Sequence, residues 1–201
     1  MKSIYLLIVC LLSGIQGQSQ EVLSIVFDQK IPIYPVRSMD NTAIDELKPN
    51  DLIYIEPSTT SLVKIRFYSK TQNGWREGFA DQKFIQPIGN STKSDKIRFS
   101  VSYLKDFVKL SSQTKLDSDY LANNFNLLID EFLELSCQHK NQPVTRHFIE
   151  ALFNIDYVYD EKHLYALEEL YRCQKATFLE LLNKEEASVQ NKINEYISEW
   201  W

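Results

Sequence analysis

The sequence predicts an α+β protein in which a small antiparallel β-domain precedes an all-α antiparallel helical bundle. All 5 Gly and all but one of the 6 Pro lie at or before residue 89. Short apolar runs between turn residues fill residues 21–89, whereas apolar residues recur at helical spacing from residue 120 onward. Because Gly and Pro interrupt helices, the first half favours strands and turns and the second half favours helices.

Composition and charge exclude several classes of function. With 44% apolar and 24% charged residues, the 201-residue chain is typical of globular proteins. It has no glycine-rich phosphate-binding motif, which excludes a classical nucleotide-binding enzyme. Residues 94–201 hold 18 acidic and 12 basic side chains, and an acidic surface repels nucleic acid and anionic lipid. We therefore expect no nucleic-acid partner.

Residues 1–19 have the pattern of a secretory signal peptide. The apolar run at residues 4–12 would rise only about 14 Å as a helix, against a hydrocarbon core of about 30 Å. We expect cleavage after Gly17 or Ser19, no stable membrane insertion afterwards, and a periplasmic or secreted bacterial protein. Lipidation of Cys10 is the alternative, although a bulky valine precedes this cysteine.

Cys137 and Cys173 are the two cysteines that remain after such a cleavage. Because an oxidising compartment permits disulfides, we expect them to pair. The bridge would close a loop with 35 residues between the two cysteines. Two buried free thiols are the alternative.

Six short strands are predicted within residues 21–89. Asn73-Gly74 lies between two alternating runs, and this dipeptide is the strongest short-range signal for a β-hairpin. Pro49-Asn50-Asp51 predicts another turn. Five or six strands joined by turns indicate a small antiparallel barrel or sandwich. The predicted strand segments are EVLSIVF, IPIY, DLIYIE, SLVKIRFY, GWREGFA and KFIQPI.

The order of these segments resembles a bacterial SH3 domain over about residues 22–88. The segments that carry the resemblance are residues 31–34, 43–55, 62–65, 78–80 and 84–85, with Asn50 where the family has a turn glycine. We therefore place an SH3-like β-barrel at residues 20–89, a linker at 90–95 and the helical bundle at 96–201. Some members of this family recognise cell-wall peptides, so the resemblance allows such a ligand.

Tyr34, Tyr68 and Trp75 are the candidate ligand-binding residues. Flat aromatic rings give an SH3-like groove a binding surface at low entropic cost and accept extended, proline-containing peptides. The alternative is that Trp75 and Phe79, two positions apart on one strand, pack into the barrel or against the helices.

Four or five helices with short loops are predicted in the second half. Asp117-Ser118-Asp119 supplies caps for a helix of about five turns that runs through Leu135. Asn141 and Pro143 suit the start of a helix at residues 144–153. The other predicted helices lie at residues 96–112, where 98–103 alternates like a strand, around 164–181, and at the C-terminal stripe Ile193, Tyr196 and Ile197.

Trp200 and Trp201 are the candidate partner-binding residues, because exposed aromatic rings dominate binding hot spots. They follow the stripe of Ile193, Tyr196 and Ile197 at helical spacing. The alternative is therefore that both rings continue this stripe into the core.

The helical half carries no complete catalytic or metal-binding motif. His147 and Glu150 have the i, i+3 spacing of carboxylate-bridged metal sites, but the chain has no second copy of that motif. Cys137 and His139 could act as nucleophile and base, yet C-x-x-C, H-E-x-x-H and G-x-S-x-G are all absent from the sequence. We therefore expect no metal, no cofactor and no enzymatic activity.

These patterns support two hypotheses. The first is an exported non-enzymatic binding protein whose SH3-like barrel presents an aromatic groove to a peptide or a cell-wall fragment. The second is a periplasmic inhibitor or immunity-type protein that binds a partner protein through its acidic helical domain. The second predicts a basic partner and an association that salt slows, whereas a neutral peptide in the groove would bind nearly independently of salt.

Overall fold

The computed structural model describes residues 21–27, 29–69, 72, 74–113, 124–155 and 160–199. The predicted signal peptide and the Trp200-Trp201 pair lie outside these residues. The fold is mixed α+β, with antiparallel strands in the first half and helices in the second, as the sequence predicts. Contacts divide the chain into two compact units, residues 1–90 and 91–201. No helix within the described ranges is long and apolar enough to cross a membrane.

The first unit contains a five-stranded antiparallel sheet and a two-stranded hairpin. The strands are β1 (Val22–Val26), β2 (Ile31–Ile33), β3 (Asp45–Leu47), β4 (Leu52–Ile55), β5 (Leu62–Ser69), β6 (Gly74–Asp81) and β7 (Ile85–Pro87). The sheet order is β6-β5-β4-β1-β7, and β2 pairs with β3. A 3₁₀ turn at Gln82–Phe84 lies between β6 and β7.

Alternation along the strands builds one apolar core in this unit. In β5 the residues Val63, Ile65 and Phe67 are buried, and the residues between them face the other way. Both sheets contribute to the core, so the β2–β3 hairpin covers the same apolar cluster. Its members are Val26, Ile31, Ile33, Leu47, Ile53, Ile55, Val63, Ile65, Phe67, Ala80 and Ile85.

The structure has the predicted β5–β6 hairpin and the predicted turn before β4. In the hairpin, Gly74 belongs to β6 and pairs with Ser69, so four residues join the strands instead of a two-residue turn at Asn73-Gly74. Asn73 itself lies outside the described residues. Before β4, Asn50 has a φ of 69°, in the left-handed region that asparagine tolerates. The Asp51 carboxylate accepts a hydrogen bond from the Lys48 amide at 2.7 Å. The left-handed conformation of Asn50 and this hydrogen bond form the turn that the sequence predicts before β4.

Gly78 is required by a close approach between β6 and the hairpin. Tyr34 and Phe79 form an antiparallel bridge, with N···O distances of 2.8 and 2.9 Å. A Cβ atom at Gly78 would overlap Ile33 Cγ2 and would lie 3.1 Å from the Tyr34 carbonyl oxygen. Only a residue without a side chain lets the two backbones approach in this way.

We predict that Gly78→Ala lowers the free energy of unfolding by about 1–3 kcal/mol, the range for overpacking a core. The added methyl group would collide with Ile33 and the Tyr34 carbonyl. Urea unfolding measures the loss. Gly89→Ala is the matched control, because nothing lies within 4 Å of a Cβ atom placed there. Equal midpoints for the two variants would contradict this packing.

The second unit contains helices and turns among its described residues. The α-helices are α1 (Lys93–Gln113), α2 (Ile129–Leu133), α3 (Gln142–Phe153), α4 (Glu161–Cys173), α5 (Lys175–Leu182) and α6 (Ala187–Glu199). A 3₁₀ turn at Phe125–Leu127 precedes α2, and a π-helical turn at Glu134–Gln138 follows it. The ring centroid of Phe125 lies 4.4 Å from that of Phe107 in α1 and 6.0 Å from that of Phe148 in α3. Phe125 thus joins these two helices in the core.

The start of α3 confirms its predicted cap. The Asn141 side chain accepts a hydrogen bond from the Val144 amide at 3.1 Å, and Pro143 lies in the first turn. The long helix α1 is also helical at residues 98–103, where the sequence alternates like a strand. It begins at Lys93, three residues before the predicted start.

Two predicted helices are wrong in their extent. The helix predicted around residues 164–181 is divided at Gln174, whose φ of −134° and ψ of 35° are not helical. The helix predicted to run through Leu135 is instead a 3₁₀ turn, α2 and a π-helical turn, and its predicted cap at 117–119 lies outside the described residues. In both cases the apolar spacing continues across the break, so periodicity alone did not indicate it.

Cys137 and Cys173 lie at two of these irregular positions. Cys137 belongs to the π-helical turn and Cys173 is the last residue of α4. Their Sγ atoms are 2.05 Å apart, so the structure brings the predicted pair to disulfide distance. The Gln174 side chain also donates a hydrogen bond to the Ser136 carbonyl oxygen at 2.7 Å. The disulfide pair and this hydrogen bond therefore join the π-helical turn to the break between α4 and α5.

We predict that replacing both Cys137 and Cys173 by Ser lowers the free energy of unfolding by about 4 kcal/mol, as the chain-entropy model gives for such a loop. The unfolded chain loses the constraint that the bridge imposes. Urea unfolding with and without dithiothreitol measures the effect. Reductant should destabilise the native protein and leave the double variant unchanged. Alkylation of both thiols in the folded, unreduced native protein would contradict the bridge.

His163 caps the start of α4 from a buried position. The Asp160 carboxylate accepts a hydrogen bond from the His163 amide at 2.9 Å, and the Asp160 amide donates to His163 Nδ1 at 3.4 Å. This reciprocal pair is a capping box. The His163 residue is only 2% exposed. Burial lowers its pKa, with an opposing effect from the Asp160 charge.

We predict that the protein loses stability as the pH falls below about 6.5, the ordinary pKa of histidine. Because the pKa of His163 is lowered in the folded state, the unfolded chain binds the proton first. The contribution of His163 to the free energy of unfolding is therefore complete above the ordinary histidine pKa. It declines as the pH falls towards the lower pKa of the folded state. His163→Gln retains the capping box and should weaken this pH dependence of the urea midpoint. His139→Gln, at an exposed position, is the control, and an equal effect of both variants would contradict the assignment.

Candidate functional site

The face of the sheet opposite the core carries a cluster of aromatic and charged side chains. We call the cluster of Tyr54, Arg66, Tyr68 and Trp75 the outer face. Tyr54 lies opposite Arg66 in the β4–β5 register, and Tyr68 lies opposite Trp75 in the β5–β6 register. All four residues are half-buried. They share this face because strand residues two positions apart point the same way.

Trp75 is the centre of the outer face. Its ring centroid lies 5.7 Å from that of Tyr54, with the planes tilted by 51°. It lies 6.0 Å from that of Tyr68, with the planes nearly perpendicular at 87°. Both are favourable geometries for aromatic pairs. Three rings from three neighbouring strands therefore form one continuous aromatic surface.

Arg66 lies against two of these rings and binds a carboxylate. Its guanidinium carbon is 4.4 Å from the Tyr54 ring centroid and 4.7 Å from the Trp75 ring centroid, within the range of cation–π attraction. Its Nε donates to both carboxylate oxygens of Glu21 at 3.1 Å, and Nη2 also donates to Oε2. The hydrogen bonds from Arg66 lower the pKa of Glu21, so this carboxylate is ionised at neutral pH.

The structure brings two of the three predicted ligand-binding residues together. Tyr68 and Trp75 are in ring contact, whereas Tyr34 pairs through its backbone with Phe79 at another position on β6. Trp75 and Phe79 do lie on the same side of β6, but the buried residues of that strand, Gly78 and Ala80, lie on the other side. The alternative interpretation that Trp75 packs into the core of this unit is therefore wrong.

A cleft of about 250 Å³ lies beside Tyr68. It separates β3 from the end of β5, and the buried Ser69 hydroxyl donates to the Asp45 carboxylate across it at 2.8 Å. Its lining combines three carboxylates with one ammonium group. The lining residues are Asp45, Glu46, Leu47, Lys48, Asp51, Phe67, Tyr68 and Ser69. Tyr68 thus belongs to both the outer face and the cleft.

The candidate catalytic and metal-binding pairs of the helical half bind each other or other residues. His147 Nδ1 and Glu150 Oε2 are 2.9 Å apart. The Cys137 sulfur is at disulfide distance from Cys173, and the His139 ring lies 3.4 Å from a Glu134 carboxylate oxygen. Within the described ranges, no group of three or more His, Cys, Asp or Glu side chains is placed to hold a metal ion.

Sequence reasoning missed Tyr54, Arg66 and Glu21. The alternation in DLIYIE and SLVKIRFY already places Tyr54 and Arg66 on the polar face of their strands, together with Tyr68. This alternation predicts a solvent-facing side of the sheet but does not indicate that the side chains there form a cluster. Glu21 is 45 residues from Arg66 along the chain, and no local pattern indicates such a pair.

Comparisons with known proteins do not assign this arrangement to a family. No protein-family model, no curated protein and no solved structure matches the chain. Function is therefore inferred from the chemistry of the outer face itself.

Proposed function

We propose that this chain is an exported, non-enzymatic binding protein, whose first unit is an SH3-like β-barrel that presents an aromatic surface to a peptide or a cell-wall fragment. The observation that carries the proposal is the ring cluster of Tyr54, Tyr68 and Trp75 on the outer face. Concentrated aromatic area on the non-core face of a sheet is typical of a binding surface rather than of packing.

The order of the strands supports the barrel. Bacterial SH3 domains have a loop-bearing first strand, and here the β2–β3 hairpin follows β1. In that family a short turn follows the strand that begins with glycine and an aromatic residue. Here the 3₁₀ turn at Gln82–Phe84 follows β6, which contains Gly78-Phe79. The bridge between Tyr34 and Phe79 attaches the hairpin to β6 over the shared core.

The outer face suits an extended ligand. Its rings come from β4, β5 and β6, and strands are spaced by about 4.8 Å, so the surface is about 10 Å wide. The half-buried rings offer apolar area with little conformational entropy to lose. Arg66 and Glu21 place polar groups beside the rings, where they can orient a peptide or a sugar.

Export is supported by two independent features. The first is the signal-peptide pattern of residues 1–19. The second is the Cys137–Cys173 pair, whose sulfur atoms lie at disulfide distance. Disulfides persist in oxidising compartments and are rare in the cytosol. A periplasmic or secreted location agrees with both.

The hypothesis of an inhibitor that uses the acidic helical unit has less support from the side-chain geometry. Glu180 lies 2.8 Å from both Arg146 and Lys184. Hydrogen bonds from these bases lower the pKa of Glu180 to about 2. Arg172 pairs with two further glutamates of its own helix. Because these acids already have basic partners, they attract a basic protein less strongly.

We predict that Trp75→Ala weakens binding to soluble peptidoglycan fragments by roughly tenfold or more, because removal of a central aromatic residue typically costs about 2 kcal/mol. Tyr68→Ala should weaken binding less, since its ring contacts Trp75 from one side. Calorimetric titration of the full chain measures both. Tyr165→Ala, which removes a 51% exposed ring from the helical unit, is the matched control.

Two outcomes would contradict the proposal. Unchanged binding by Trp75→Ala, with the native fold confirmed by circular dichroism, would exclude the outer face as the binding surface. Capture of a basic protein whose association slows steeply with salt, and which competes with no peptide, would favour the acidic helical unit instead.

A further inference from the structure

The outer face already holds a carboxylate from its own chain. Arg66 directs two nitrogen atoms at the Glu21 carboxylate, while the Tyr54 and Trp75 rings lie 4.4 and 4.7 Å from its guanidinium carbon. A planar guanidinium presents a fork of donors that matches a carboxylate. The two rings hold this fork in place on the surface. The arrangement is a formed carboxylate site with an intramolecular occupant.

We propose that Arg66, flanked by Tyr54 and Trp75, is a carboxylate-binding site that Glu21 occupies in the free protein and that a carboxylate of the ligand takes over on binding. The inference rests on the proposed function, because it names a chemical group of the ligand that the same outer face binds. The ligand is then an extended peptide or cell-wall fragment with a free carboxylate.

Glu21 is placed so that it can be exchanged. It lies immediately before β1, which begins at Val22, so its release breaks no strand pairing. The side chains of Arg66 and Glu21 are 33% and 35% exposed, so a ligand can reach their contact. The ligand supplies a carboxylate of the same kind, so the exchange replaces one arginine–carboxylate pair by another. A second carboxylate can therefore replace Glu21 while the sheet stays folded.

The charges around Arg66 nearly balance, so the preference for an anionic group comes from Arg66 itself. Lys64 lies 3.0 Å from Glu56 and 3.2 Å from Glu77, and it balances part of the charge of these two acids. When the Glu21 side chain turns away, Arg66 keeps an unpaired positive charge that a ligand carboxylate can bind. A cation would find the space between the Tyr54 and Trp75 rings filled by Arg66.

The test compares each ligand with its uncharged analogue. The probes are acetyl-tetraalanine and a muramyl dipeptide, each as the free carboxylate and as the amide, titrated into the full chain. We expect the carboxylates to bind about tenfold more tightly than the amides, as one charge-assisted hydrogen-bonded pair allows. The NMR resonance of the Arg66 Nε–H group should shift with the carboxylates and stay in place with the amides.

Three variants separate the site from its occupant. Glu21→Gln removes the internal competitor and should tighten carboxylate binding by about two- to fivefold, the range for an exposed ion pair, without changing amide binding. Glu180→Gln is the matched control, because Glu180 is also exposed and accepts hydrogen bonds from two nitrogen atoms of one arginine, Arg146, at 3.1 and 2.8 Å in the helical unit. Arg66→Met should remove the preference for the carboxylate and retain amide binding.

The outcomes distinguish this inference from the proposed function. Equal binding of carboxylates and amides by the native protein would overturn the carboxylate site and leave the proposed function intact. No binding of any probe would overturn both. An equal gain for Glu21→Gln and Glu180→Gln would overturn the role of Glu21 as the occupant. If Arg66→Met does not fold, Glu21→Gln and the native protein still decide the result.

Discussion

The register of the β5–β6 ladder is the constraint on which the first unit depends. The two strands pair over their whole length, from Leu62 opposite Asp81 to Ser69 opposite Gly74. One face of this ladder supplies core residues, and the other supplies the outer face. A shift of one residue would exchange the two faces. The same pairing therefore fixes both the apolar core and the contact between Tyr68 and Trp75.

The sequence predicts those parts of the fold that short-range chemistry determines. The Asn141 cap, the Asn50 turn and the strand segments of the sheet are all local features, and the structure has them. The strand β3 was missed because two of its three residues are acidic, a type that is rare in strands. The break at Gln174 was missed because the apolar stripe continues past it. Both features form long-range contacts: β3 pairs with β2, and the Gln174 side chain binds the Ser136 carbonyl oxygen.

The candidate site could be predicted only in part. Tyr68 and Trp75 were found as aromatic residues on neighbouring strands, but their cross-strand contact depends on the observed register, in which four residues join β5 to β6. Tyr34 was grouped with them because residue type alone does not indicate which rings are neighbours, and the structure pairs Tyr34 with Phe79, four positions beyond Trp75 on β6. The interaction that completes the outer face joins Glu21 to Arg66 across 45 residues. Only the folded strand order brings this pair together.

The Cys137–Cys173 bridge also determines what happens when the chain is cut. The two cysteines are 36 positions apart and enclose α3 and nearly all of α4 in one covalent ring. A protease that cleaves any peptide bond between them leaves both pieces attached to each other. Proteases cut preferentially at exposed loops, and a nick in a loop of this ring therefore opens the backbone without separating the helices.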